Sequence, residues 1–83
     1  MTLLAVQAQK FLEKCEHTLA ERIIKRIDRL EKEPFPQDIE RIEGNMRVFR
    51  VRVGGYRIIY EPLPVLLILR IAKRDEAYDK NFI

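Results

Sequence analysis

At 83 residues the chain is read as one domain, 1–83, whose small core leaves only about 3–5 kcal/mol of net stability. Apolar residues make up 47% and charged residues 35%, a balance that excludes a disordered chain. The formal charge of +3 is unevenly spread: residues 1–46 carry 8 Lys/Arg against 9 Asp/Glu, and residues 47–83 carry 8 against 4, so the second stretch alone stands at +4.

In chain order, Thr2-Leu3-Leu4-Ala5-Val6 reads as either a short strand or the start of a helix. From about Gln7 to His17, Ala8, Phe11, Leu12 and Cys15 recur at helical spacing. Thr18-Leu19-Ala20-Glu21 matches a capping box, in which a hydroxyl and a carboxylate each satisfy an orphan amide at a helix start. The second helix carries Leu19, Ile23, Ile24, Ile27 and Leu30 on one stripe, and Pro34 and Pro36 end it. The first half is therefore a helical hairpin over about 7–33, with its kink near Glu16–Thr18. The connector after it is expected to hold a short helical turn around Asp38–Ile42, and Glu43-Gly44-Asn45 is a turn signal.

The stretch Met46–Tyr60, MRVFRVRVGGYRIIY, opens a sheet over about 46–72. Gly54-Gly55 between alternating runs predicts a tight two-residue hairpin turn, which sets the register. Val53 then faces Tyr56, Val51 faces Ile58, and Phe49 faces Tyr60, giving one apolar face. On the other face Arg52 opposes Arg57 and Arg50 opposes Ile59. Like charges directly across a ladder are destabilising by under about 1 kcal/mol per pair. A chain that keeps them there points to a polyanion partner, in keeping with its basic second half. After the Pro62-Leu63-Pro64 turn, Val65–Ala72 reads as a third strand. An even-numbered turn places Val65, Leu67, Leu69 and Ile71 on the core face and puts Arg70 and Arg74 beside Arg52 and Arg57. The tail is expected to form a short helical turn over 75–82.

Several chemistries are absent from the sequence. The longest apolar run, Leu63–Leu69, is interrupted by Pro64 and falls far short of the roughly 20 residues that span a bilayer. The start of the chain lacks the basic region and cleavage site of a signal peptide. Cys15 has no second cysteine to pair with, and no Cys/His spacing fits a metal. These features predict a reduced, cytoplasmic protein with no cofactor, metal or membrane. His17 lies away from the arginines and reads as a helix-end residue near C-terminal carbonyls. What remains is a surface able to grip phosphates bidentately and to stabilise a phosphorane by charge. Tyr78 either packs as a terminal aromatic or stacks on a base beside that surface.

Phe49-Arg50-Val51-Arg52-Val53-Gly54-Gly55-Tyr56-Arg57-Ile58-Ile59-Tyr60-Glu61, followed by Lys73-Arg74-Asp75-Glu76-Ala77-Tyr78, resembles the RelE toxin family of toxin–antitoxin systems. Ala8–Lys14 and the second helix ending near Glu33-Pro34 fit as well, so the resemblance covers the whole chain. It implies an α+β fold, a small twisted antiparallel sheet with an N-terminal helical hairpin packed on one face and a basic concave face opposite. It implies a ribosome-dependent, metal-independent endoribonuclease, an mRNA interferase that cuts in the A site and inhibits translation. The RNA 2′-hydroxyl would attack its own phosphate, leaving a 2′,3′-cyclic phosphate and a 5′-hydroxyl.

By the same resemblance Arg50 and Arg52 lie near the nucleophile, and Arg57 clamps the scissile phosphate. Arg74 stabilises the leaving group, and Tyr78 orients the base. Arg70 and Lys73 add RNA-binding charge. Arg50 and Arg52 stand where well-studied members carry lysines, and a guanidinium with a pKa above about 12 is a poor base. Lys73 is one candidate stand-in for that role, and the identity of the general base stays open. A RelB-like antitoxin in a hetero-oligomer is the implied partner. The non-nuclease alternatives are a ParE-like gyrase poison and an inactive relic that binds RNA or antitoxin.

Overall fold

Residues 2–73 are described by the computed structural model of the chain. In order they form β1 (Thr2–Leu4), α1 (Val6–Lys14), α2 (His17–Lys32), β2 (Glu40–Arg41), β3 (Phe49–Val53), β4 (Tyr56–Glu61) and β5 (Leu66–Lys73). The five strands make one sheet in the order β1-β5-β4-β3-β2. All neighbours are antiparallel except β1, which runs parallel to β5 with Thr2 opposite Leu66 and Leu4 opposite Ile68. The fold is the expected α+β arrangement, with the sheet mixed rather than purely antiparallel. The first five residues resolve into a strand and an entry to α1, since the Ala5 amide donates to the Ile68 carbonyl at 2.9 Å and extends the parallel ladder.

Both helices cover one face of the sheet. Ala8 of α1 and Ile23, Ile27 and Leu30 of α2 pack on Val51, Val53, Ile58, Tyr60, Leu66, Ile68 and Ile71. The i, i+4, i+7 spacing on α2 gives one buried stripe, and Ile24, expected on it, is 46% exposed. The capping box is not used. The Glu16 carbonyl already accepts from the Ala20 amide, so α2 starts two residues early and Thr18 lies inside it. Glu21 instead meets His17 Nε2 at 2.9 Å one turn away. His17 thus opens α2 rather than closing α1.

The hairpin has the expected register, with Phe49 opposite Tyr60, Val51 opposite Ile58, Arg52 opposite Arg57 and Val53 opposite Tyr56. Of the two turn glycines only Gly54 takes a positive φ, +59°, the sign pattern of a type II′ turn. The expected helical turn at 38–42 is instead an edge strand. Glu40 pairs with Arg50, and Arg41 pairs with Phe49 and stacks its guanidinium 5.4 Å from that ring.

The third long strand obeys neither single frame. A β-bulge opposite Ile59 and Tyr60 leaves Leu69 as an extra residue, since Ile59 pairs with Arg70 while Tyr60 pairs with Ile68. Before the bulge Leu66 and Ile68 enter the core, while Val65 is exposed and Leu67 half-buried. After it Ile71 enters and Arg70 faces away. The even frame therefore holds only for Arg70 and Ile71. One inserted residue keeps the upstream aliphatics buried without driving a guanidinium beneath the helices.

Two polar contacts fasten the helical layer. The Gln7 side-chain amide donates to the Ile71 carbonyl and accepts from the Ile71 amide, both at 2.9 Å, so it continues the β1 edge of β5 as one surrogate residue. The Tyr60 hydroxyl, fully buried, donates to the Pro34 carbonyl at 3.1 Å. Replacing Gln7→Ala strands both backbone groups and is expected to lower unfolding free energy by about 1–3 kcal/mol in urea melts.

Burial pushes the Tyr60 phenol up to about 12 from 10.0. The neutral form is the one the fold retains, so this contribution is complete below pH 10 and is lost as pH rises towards 12. Tyr60→Phe should cost about 1 kcal/mol at neutral pH. The gap from the wild type should narrow above pH 10 in denaturant melts at stepped pH.

Candidate functional site

The sheet face away from the helices carries the arginines in two rows. One row crosses four strands as Glu40, Arg50, Ile59 and Arg70, and the next holds Arg52, Arg57 and Ala72. A small apolar floor of Val48, Ile59 and Ala72, flanked by Ile42 and Leu69, lies among them. The turn at Gly44 (φ +82°) supports one side of this floor. Its ends are tied by the Ile42 amide to the Val48 carbonyl at 2.9 Å. Such a floor lets arginine stems bury their methylenes, with the head of Arg52 left at the surface.

Arg50, Arg52 and Arg57 converge with Asp38 and Glu40 on a cleft of about 200 Å³. That is several times the ~30 Å³ share of one water, so a phosphate group fits. Arg57 is only 2% exposed, and its Nη1 donates to the Tyr56 carbonyl at 3.3 Å. It is the preset member of the group. Arg50 reaches Glu40 Oε2 at 3.2 Å, with side chains 18% and 61% exposed respectively. Arg52 is exposed. Asp38 is turned towards α2, where Arg26 Nη2 donates to its two oxygens at 2.6 and 2.8 Å.

The hydrogen bond from Arg50 and its charge, with further help from Arg57 and Arg52, hold the Glu40 carboxyl below its ordinary 4.5. The cleft is thus a cationic surface with two exposed carboxylates at its rim, Asp38 paired to Arg26 and Glu40 paired to Arg50. Neither Glu40 nor Asp38 was picked out by reading the sequence. The available signal was the flanking pair Ile39 and Ile42, whose side chains now lie on opposite faces of the sheet and mark a strand rather than a helical turn.

The other expected site residues divide. Arg70 shares the arginine face but sits two strands from Arg50, about 10 Å away at the ~4.8 Å strand spacing, outside the cleft. Lys73 pairs with Tyr56, and Tyr56 packs edge-to-face on Phe11 of α1 with centroids 5.6 Å apart. Lys73 therefore projects to the helix side, where it lines a cavity with Phe11, Cys15 and Arg22. This placement turns Lys73 away from the cleft lined by Arg50, Arg52 and Arg57. Arg74, Tyr78 and the helical turn at 75–82 lie outside the described residues. Among the described residues no cluster of three His, Cys, Asp or Glu side chains could hold a metal, and no helix is long and apolar enough to cross a membrane.

A family model described as the ParE toxin of the type II toxin–antitoxin system parDE matches residues 3–78. The chain belongs to the RelE/ParE superfamily. A protein of Methanocaldococcus jannaschii described as toxin RelE1 is 36% identical over 58 residues, 63% of this chain. That match spans 64% of the relative, just under two thirds of its length. A chain of the RelB–RelE antitoxin–toxin complex from Methanococcus jannaschii superposes with a TM-score of 0.73 at 26% identity, over 94% of this chain and 96% of that one. The archaeal RelE–RelB complex from Pyrococcus horikoshii gives 0.74 at 30% identity, over 88% and 92%. The isolated E. coli RelE toxin gives 0.78 at 20% identity, over 94% and 89%, a likeness of fold.

In this member of the RelE/ParE superfamily the Arg50–Glu40 contact has a direct spectroscopic test. The Glu40 carboxyl carbon, followed by NMR, should titrate with a midpoint below 4.5. Because the folded value is depressed, the stabilisation is present above the unfolded pKa and is lost as pH falls through the folded one. Arg50→Met should return the midpoint towards 4.5.

Proposed function

We propose that this chain is the toxin of a type II toxin–antitoxin pair, that it cuts mRNA in the ribosomal A site, and that a RelB-like antitoxin neutralises it. The observation that carries the reading is the convergence of Arg50, Arg52 and Arg57 on one phosphate-sized cleft. Superfamily membership and the likeness to RelE chains from RelB–RelE complexes support it.

The chemistry asked of the cleft is stabilisation of charge. When a 2′-oxygen attacks phosphorus, the phosphorane gains negative charge on its equatorial oxygens. Guanidiniums fixed beforehand stabilise that charge more than they stabilise the ground state. Arg57, held at its own strand by burial and the Tyr56 carbonyl, needs little reorganisation to grip the scissile phosphate. Arg52, exposed and directly across the ladder, closes on it from the other side. The two like charges tolerate their proximity best with an anion between them. Arg74 and Tyr78 are proposed, from the sequence resemblance, to act on the leaving 5′-oxygen and the adjacent base. The ribosome would fix the RNA in an in-line geometry, so cleavage of free RNA should be feeble.

A ParE-like gyrase poison is the second reading, because the family model that matches is that of ParE. Primer extension on translating ribosomes separates the two. The wild type should cut within A-site codons, and Arg52→Ala at matched protein levels should cut about 10²–10³-fold more slowly, the usual loss for one charge-stabilising donor. Undiminished cutting by the variant would remove Arg52 from the site. A wild type that leaves ribosomal mRNA intact but blocks gyrase supercoiling would replace the nuclease reading altogether.

A further inference from the structure

We propose that Arg26, on α2 and outside the cleft, is a positioning residue for the phosphate site: by holding the Asp38 carboxylate it keeps that charge off Arg52 and Arg57. This rests on the reading of the cleft as a phosphate site for RNA.

Asp38 and Glu40 line the cleft together with Arg50, Arg52 and Arg57. The two carboxylates are equally exposed, at 60% and 61%, but they are held differently. Arg50 Nη2 meets one Glu40 oxygen at 3.2 Å, and both residues belong to the cleft. Arg26 Nη2 meets both Asp38 oxygens, at 2.6 and 2.8 Å, and comes from the helical layer. Contacts this short between opposite charges are the strong ones. Arg26 is also fixed where it stands. Its side chain is 14% exposed, and Ile23, Ile27 and Leu30 of the same helix are buried in the core.

A carboxylate at the rim of a cationic cleft is drawn to the guanidiniums unless another cation satisfies it, and it takes the same N–H groups that a phosphate uses. With Asp38 neutralised by Arg26, the described lining residues carry three cations against one anion. Released, Asp38 makes the balance three against two and halves the net charge that a phosphate meets. Ile39 packs against the core, and Glu40 and Arg41 pair with β3, so releasing Asp38 leaves the edge strand in place.

The test is binding of a short single-stranded RNA, followed by fluorescence anisotropy over a salt series, to wild type, Arg26→Met, Asp38→Asn and the double variant. Methionine keeps an aliphatic stem packed on α2. Arg26→Met should bind roughly tenfold more weakly, the usual cost of one hydrogen bond to a charged group. The slope of log affinity against log salt should become shallower by about 0.7, the equivalent of one phosphate contact on a single strand. Asp38→Asn removes the competing charge itself and should bind more tightly than wild type. The double variant should recover wild-type affinity and slope. An ion pair with a purely structural role gives no such recovery, because the double variant has lost both members. Arg26→Lys, which keeps the charge without the planar guanidinium, should fall between wild type and Arg26→Met, and it carries the test if Arg26→Met does not fold. Unchanged affinity in Arg26→Met, or a double variant or Asp38→Asn as weak as Arg26→Met, would overturn the assignment. Binding needs no cleavage. The expected pattern in a protein that leaves ribosomal mRNA intact would sink the nuclease reading and keep Arg26 in its role. A wild type with no affinity for the RNA would remove the phosphate cleft and this assignment together.

Discussion

Arg52 and Arg57 face one another across the β3–β4 ladder, and the arrangement of the whole basic face follows from that opposition. Two guanidiniums placed side by side on a sheet repel, so the structure needs anionic company nearby. Glu40 provides it within the protein, on the two-residue edge strand that pairs with β3. The compensation is partial and local. It keeps the face foldable while leaving a net cationic cleft for a phosphate. Arg57 extends this logic, since a guanidinium that is 2% exposed has already given up most of its water. Its desolvation is borne by folding, and a bound anion meets a donor that is already set.

The bulge at Leu69 is what allows one strand to serve both faces. A regular β5 would have to choose between burying Leu66 and Ile68 and exposing Arg70. With one extra residue, Leu66, Ile68 and Ile71 all reach the helical side, Arg70 joins the arginine row, and Leu69 tops up the apolar floor. Bulges tend to sit beside functional surfaces because they re-aim side chains at small cost. The opposite layer is held by contacts of another kind. α2 buries a narrow aliphatic stripe, while Gln7 and Tyr60 close the backbone groups that a chain of this size cannot leave unsatisfied.

Much of this was legible in the residues. Alternation around Gly54-Gly55 is enough to set a hairpin, because a two-residue turn permits one register and side chains repeat every second position. That placed Arg50, Arg52 and Arg57 on one face before any coordinates. The spacing of Ile23, Ile27 and Leu30 likewise marked the buried side of α2. The capping box was a weaker signal. Its residues are right in type, yet one early backbone hydrogen bond starts the helix before Thr18, and Glu21 finds His17 instead.

Other features were decided only by tertiary structure. β2 is two residues long, too short for periodicity to declare, and exists because the open edge of β3 needs a partner. Glu40 enters the site through that pairing, ten residues from the arginine it meets. The Leu69 bulge has no local sequence mark, since it resolves a conflict between two sides of a sheet that meet only after folding. Lys73 illustrates the same limit. Its neighbours in sequence are basic and its charge suits RNA, but register with Tyr56 sends it to the helices. Local pattern determined which residues form strands and helices and which side of the hairpin is charged. Long-range pairing decided which carboxylate stands among the arginines, because that choice depends on contacts between segments that no short-range periodicity connects.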